Sequence, residues 1–159
     1  MITLERAREW YPENDPVHGF DHIQRVTRMV ERLAIAEGAD LEIVRAAALL
    51  HDSKASDPNS GERLSHHLAS ALFAEIILKQ ENWNEEEITA VQHCIRGHRY
   101  RGGKENEPHT IEAKVLFDAD KLDVLGAIGV ARTIGYAVQA GQPIYAQPSQ
   151  QFLDTGVKE

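Results

Sequence analysis

An all-α fold is what the sequence predicts, on three observations. Apolar residues recur three and four apart along most of the chain, the period of a helix with one buried face. No run alternates apolar and polar residues as a half-buried strand would. Residues that start or stop helices stand at the ends of the periodic segments. Taken in order, helices are expected in "TLERAREWY", "FDHIQRVTRMVERLAIAEG", "DLEIVRAAALLHD", "HHLASALFAEIILKQ", "NEEEITAVQHCIRGH" and "TIEAKVLFDADKLDVLGAIGVART". Asp40, Asn84 and Thr110 can each cap a helix start, and Asn84 with Glu87 has the spacing of a capping box. Gly38 suits the end of the second helix, and Pro58 with Gly61 breaks the chain after the third. Two polar stretches read as loops: "DSKASDPNSGERLS", and "HRYRGGKENEPH" with its cations Arg99, Arg101 and Lys104. The end, "QAGQPIYAQPSQQFLDTGVKE", has little periodicity and reads as a poorly ordered or docked tail.

With 159 residues, 42% of them hydrophobic, the chain can bury one core, so a single domain over residues 1–140 followed by a tail over 141–159 is expected. Lysine and arginine number 17 against 25 acidic residues, a formal net charge of -8. That balance argues against a nucleic-acid polymer or an anionic membrane surface as partner, since both require an excess of positive charge. The single Cys94 cannot form an intramolecular disulfide, and "MITLERAREWYPEND" lacks the apolar stretch of a signal peptide. A cytoplasmic location follows as an expectation. No apolar run approaches the length that spans a bilayer.

Chemistry is concentrated at the end of the apolar segment "IVRAAALLHD", where His51 is followed at once by Asp52. Burying either group unpaired is costly, so the pair needs a metal or a hydrogen-bond network. His22 lies on the helical line Val26, Met29, Leu33 and faces the core with them. Asp120 follows Leu116 and Phe117 by four and three residues and precedes Val124 by four, so it also points inward. Asp118 points outward, between Lys114 and Lys121. Two imidazoles and two carboxylates turned to one interior suit a divalent ion such as Mn²⁺, Fe²⁺, Co²⁺, Ni²⁺ or Mg²⁺. Taken singly, His22 and Asp120 fit ordinary hydrogen-bonded core residues at least as well.

The ordered segments "HGFDHIQRV", "AALLHD", "HCIRGHRY" and "DADKLDVLGAIGVAR", spread over residues 17–135, resemble the HD superfamily of metal-dependent phosphohydrolases. More specifically they look like a bacterial subfamily of small HD hydrolases, some of which cleave nucleoside triphosphates. The resemblance implies an HD-domain helical bundle, one metal held by His22, His51, Asp52 and Asp120, and a small phosphorylated substrate, foremost a nucleotide. Members of that subfamily usually continue through further helices, so 141–159 is expected as a tail or truncated extension, and a homo-oligomer is an open expectation.

Within that frame Asp52 is expected both to bind the metal and to act as general base toward water. Arg25, one turn after His22, and Lys54, two residues after Asp52, are candidates to meet the charge that builds on a phosphoryl group, with solvated surface as the alternative. His67 and His98 are expected to contact substrate or water, with a second metal through His67 and His93 as the alternative. His18 and His109 read as loop residues, His18 with the option of lining the pocket mouth. Asp123 is expected to touch substrate or support a ligand, against a salt bridge to Lys121 or Arg132. Gly126 and Gly129 suggest close packing. The preferred activity, from the resemblance, is a nucleoside triphosphate cut to monophosphate and pyrophosphate, then monophosphate dephosphorylation. The alternatives are a catalytically silent HD module that senses metal or nucleotide, and a di-iron oxygenase.

Overall fold

The computed structural model describes residues 2–13, 15, 19–54, 66–100 and 106–156, which form helices joined by turns, with no strand among them. In chain order these are α1 (Leu4–Arg8), α2 (Phe20–Glu37), α3 (Leu41–Leu50), α4 (His66–Gln80), α5 (Glu85–Gly97), α6 (Ile111–Leu122), α7 (Gly126–Gln139) and α8 (Gln150–Thr155). The all-α expectation is met. No described helix is long and apolar enough to cross a membrane.

The helix ends form for the reasons their sequences suggest. The Asp40 carboxylate accepts from the backbone N–H groups of Glu42 and Ile43, and the Thr110 hydroxyl from that of Ala113, so each satisfies donors left over at a first turn. Asn84 and Glu87 close a complete capping box on α5. Gly38 ends α2 at φ 72°, in the left-handed region where glycine carries no Cβ penalty.

The core is organised around α3. Val44, Ala46, Ala47, Ala48, Leu49 and Leu50 are all buried, and the alanines let α2, α5 and α6 pack closely on it. Burying Leu49 and Leu50 contributes roughly 1.5–3 kcal/mol each. From α2 come Ile23, Val26, Val30 and Ala34, from α5 Ile88, Val91 and Ile95, and from α6 Ala113, Leu116 and Ala119. Cys94 sits in this core, where burial pushes its thiol up to about 12 and keeps it inert.

Two departures from the sequence reading concern the C-terminal third. The run expected as one helix from Thr110 to Thr133 is broken: α6 ends at Leu122, Leu125 is extended, and Gly126, the first residue of α7, takes φ 63°. Gly129 tucks against this turn so closely that a Cβ there would lie 2.0 Å from the Val124 carbonyl oxygen. The stretch read as a tail also contains α8, capped by the Ser149 hydroxyl. Leu125, Val130, Val138, Ile144, Tyr145 and Leu153, along α7 and beyond, are each more than half exposed. The expected break at Pro58 and Gly61 lies outside the described residues.

Candidate metal centre

The question raised by a histidine at the end of an apolar helix is answered by the helix terminus itself. His51 is the C-cap of α3, and its Nδ1–H donates to the Ala48 carbonyl at 2.8 Å, one of the acceptors that the helix end leaves unpaired. The ring is thereby held as the tautomer whose Nε2 carries a lone pair. His98 repeats the arrangement as the C-cap of α5, with Nδ1 donating to the Ile95 carbonyl. His22, in the first turn of α2, is held differently: its Nδ1–H donates to Asp123 Oδ2 at 2.7 Å. In all three rings one nitrogen is anchored and the other is left available, the condition a metal-ligating imidazole requires.

The free edges converge. His22 Nε2 lies 3.8 Å from Asp52 Oδ2 and 3.5 Å from Asp120 Oδ1, and His51 Nε2 lies 3.5 Å and 4.0 Å from the same two oxygens. These gaps are long for hydrogen bonds, yet short enough for one central ion to be bonded to all four groups at about 2 Å. His22 Nε2, His51 Nε2 and Asp52 Oδ1 are buried without a hydrogen-bond partner among the described residues. Such orphaned atoms are costly unless something else binds them; His22, His51 and Asp52 form a group that could hold a divalent ion, with Asp120 Oδ1 3.5 Å from His22 Nε2 beside it. The residues fit the metal.

Asp52 has a second side. Its Oδ1 lies 3.4 Å from His66 Nε2 and 3.5 Å from His98 Nε2, so one carboxylate divides its oxygens between two groups of imidazoles. Asp120 is oriented by Lys121, whose Nζ donates to its Oδ2 at 2.7 Å and to the His98 carbonyl at 2.9 Å, leaving Oδ1 toward His22 and His51. Beneath the His-Asp pair the buried Tyr11 hydroxyl donates to the Leu49 carbonyl at 2.9 Å, tying the start of the chain to the end of α3.

Burial lowers the His51 imidazole to about 4, so it is neutral near pH 7 and ready to donate its lone pair. At Asp120 burial raises the carboxyl, but interaction with His51, Lys121, His98 and His22 outweighs it and brings it to about 2. Asp52 behaves in the same sense: burial opposes ionisation, and the ring of His51, His66 and His98 holds it well below the ordinary carboxylate range.

The structure thus gathers His22, His51, Asp52 and Asp120, with His98 on the far side of Asp52. Other expectations are met differently. Asp123 is enclosed by His22, by Arg25 Nε at 2.7 Å and by Arg132 at 2.9 Å, while Arg25 also holds Asp21. Arg25 and Asp123 therefore act on His22 through each other rather than standing open toward a substrate. Lys54 is exposed, with its ammonium 3.9 Å above the Phe73 ring. His66 and not His67 turns to Asp52; His67 packs beside His66, with its Nδ1 buried and unpartnered. His93 lies against His109 with ring centroids 3.9 Å apart, and the second group of side chains that could hold an ion is Asp52, His66 and His98. His18 lies outside the described residues. His66 and Lys121 were not singled out as site residues from the sequence. The His66-His67 doublet was the available signal for the first, and adjacency to Asp120 for the second.

Comparison with known proteins gives the chain a family. The HD domain family matches residues 19–125. YpgQ of Bacillus subtilis (strain 168) is 30% identical over 158 residues, which covers 96% of this chain and 75% of YpgQ. The crystal structure of YpgQ in complex with ADP superposes with a TM-score of 0.68. A Lactobacillus plantarum protein of known structure is 33% identical, with a TM-score of 0.71 over 94% of this chain and 70% of the other. A predicted HD superfamily hydrolase from an uncultured Thermotogales bacterium is 32% identical, with a TM-score of 0.67 over 84% of this chain and 72% of its own. On this match, over a helical bundle that gathers buried histidines around Asp52, the chain belongs to the HD domain family.

Proposed function

We propose that this protein is a divalent-metal-dependent phosphohydrolase for a small phosphorylated metabolite, foremost a nucleotide. The observation that carries the reading is the convergence of buried, unpartnered His22 Nε2 and His51 Nε2 on the oxygens of Asp52 and Asp120. These four residues would hold one ion, of Mn, Co, Ni, Fe or Mg, which when bound would act as a Lewis acid on water and on a phosphoryl oxygen.

The protein's own groups supply the rest. Asp52 Oδ2 faces the proposed ion, and Oδ1 is left to accept a proton from an attacking water, a general-base role for an ionised carboxylate. His66 and His98 present Nε2 around that same oxygen, where they would border a phosphoryl oxygen or a leaving group. Lys121 keeps Asp120 in its orientation, and Asp123, fixed by Arg25 and Arg132, keeps His22 in its tautomer. His67 and Lys54 would be further substrate contacts at the margin of the site.

A nucleotide is supported by the ADP bound to YpgQ. Cleavage of a nucleoside triphosphate to monophosphate and pyrophosphate is the preferred reaction, on the resemblance to HD hydrolases with that activity; monophosphate dephosphorylation comes next. A second reading is favoured by the divided carboxylate of Asp52: a second ion on Asp52, His66 and His98. The test is phosphate and pyrophosphate release from nucleoside mono-, di- and triphosphates with each metal added in turn, alongside a count of ions per chain. Metal-dependent release from one class supports the hydrolase and names its bond. Bound metal without turnover on any nucleotide overturns it in favour of a silent sensor, and two ions per chain would replace the mononuclear reading.

A further inference from the structure

Outside the metal centre, three arginines gather along α2. Arg25, Arg28, Met29 and Arg32 share one face of that helix and meet Ala119, Leu122 and Asp123 across a groove of about 240 Å³. Arg25 is already held by Asp21 and Asp123, and Arg132 also bonds Asp123. Arg28 and Arg32 are exposed and form no ion pair with a described residue.

This arrangement is unfavourable on its own terms. Like charges four apart on a helix repel, and in a chain of net charge -8 there is no general surplus of cations to explain their meeting here. The groove floor, formed by Met29, Ala119 and Leu122, is apolar. A guanidinium beside an apolar surface binds an anion more strongly than one in open water, and its fork matches phosphoryl oxygens two at a time. Side chains four apart on a helix start roughly 5–6 Å from one another, a separation that two linked phosphoryl groups can bridge.

We propose that the α2–α6 groove is an anion site that takes a diphosphate group, free or carried by a nucleotide, between Arg28 and Arg32. It is distinct from the metal centre. The groove lies on the Asp123 side of His22, whereas Asp52 and Asp120 face the opposite nitrogen of that ring. An occupant would sit beside the Arg25–Asp123–His22 chain and so border the grip on a metal ligand. The assignment concerns binding alone and stands whether or not the chain hydrolyses nucleotides.

The test is a titration of the full chain, loaded with Mg²⁺ at fixed free concentration, with inorganic diphosphate in one arm and ADP in another, followed through the methyl resonances of Met29 and Leu122. Both methyls should shift saturably in at least one arm, and the double variant Arg28→Ala/Arg32→Ala should weaken that binding at least tenfold. Exposed arginine to alanine is benign to a helix, so the variant should stay folded. The arm with the tighter response names the source of the diphosphate group. Equal binding by the double variant, shifts reproduced by sodium chloride at matched ionic strength, or no saturable shift in either arm would overturn the proposal.

Discussion

A metal-ligating histidine almost always has its second nitrogen anchored, and His22, His51 and His98 are anchored by two kinds of partner. His51 and His98 use the spare carbonyls of their own helix ends, while His22 uses the carboxylate of Asp123. The carboxylate tether is therefore the one open to mutation without disturbing a helix. Asp123→Asn keeps the shape but weakens the anchor and removes the charge that Arg25 and Arg132 answer. It is expected to lower metal affinity by about ten- to a hundredfold with helical content unchanged. Competition with a chelator measures this, and wild-type affinity would remove His22 from the ligand set. In the sequence, helical period puts His22 and Asp120 on inward faces, His51-Asp52 stands out as the polar end of an apolar segment, and the family resemblance joins the four. His66 and Lys121 are hidden at that level: His66 opens α4 after a stretch with no period to follow, and Lys121 reaches Asp120 by bending back along its own helix end.

At the level of elements, the site exists because α3 and α5 both end on a histidine and both ends arrive at the same place, with the first turn of α2 and the last of α6 beside them. Their caps and apolar periods are local features, and these were legible. What was not legible is the break between α6 and α7, because "FDADKLDVLGAIGVART" keeps a helical period across it. The break depends on Gly126 at φ 63° and on the close approach of Gly129 to Val124, a tertiary contact that no period encodes. Gly129→Ala would force a Cβ to within 2.0 Å of the Val124 oxygen unless the turn moved. We expect a loss of about 1–3 kcal/mol in chemical denaturation. A stability equal to wild type would mean that the turn relaxes freely. Since this turn carries Asp123 and is joined to α7 by Arg132, the same variant should also loosen metal binding.

For the molecule as a whole, burying so many titratable groups in one place ties stability to pH. In the unfolded chain His51 titrates near 6.5, but in the fold only at about 4. Between those values the unfolded state binds the extra proton, so stability without metal should fall as pH drops from about 6.5 to 4 and be independent of this group above that window. The partly buried His67 shifts in the same direction. Asp120 acts in the next window down: its ionised form is stabilised by folding, and that contribution is lost as pH falls from 3.8 toward 2. Thermal denaturation of the metal-free protein across pH 4–8 checks the first of these, and a midpoint that does not fall below 6.5 would contradict it.

The central claim is that His22, His51, Asp52 and Asp120 form a divalent-metal site, and metal content tests it most directly. Wild type, His51→Ala and Asp52→Ala would be loaded with Mn²⁺, gel-filtered and measured for metal per chain, with circular dichroism beside each. The account predicts metal retained by wild type and lost from both variants, with helical content largely kept. Wild-type occupancy in both variants would contradict it and place the ion elsewhere.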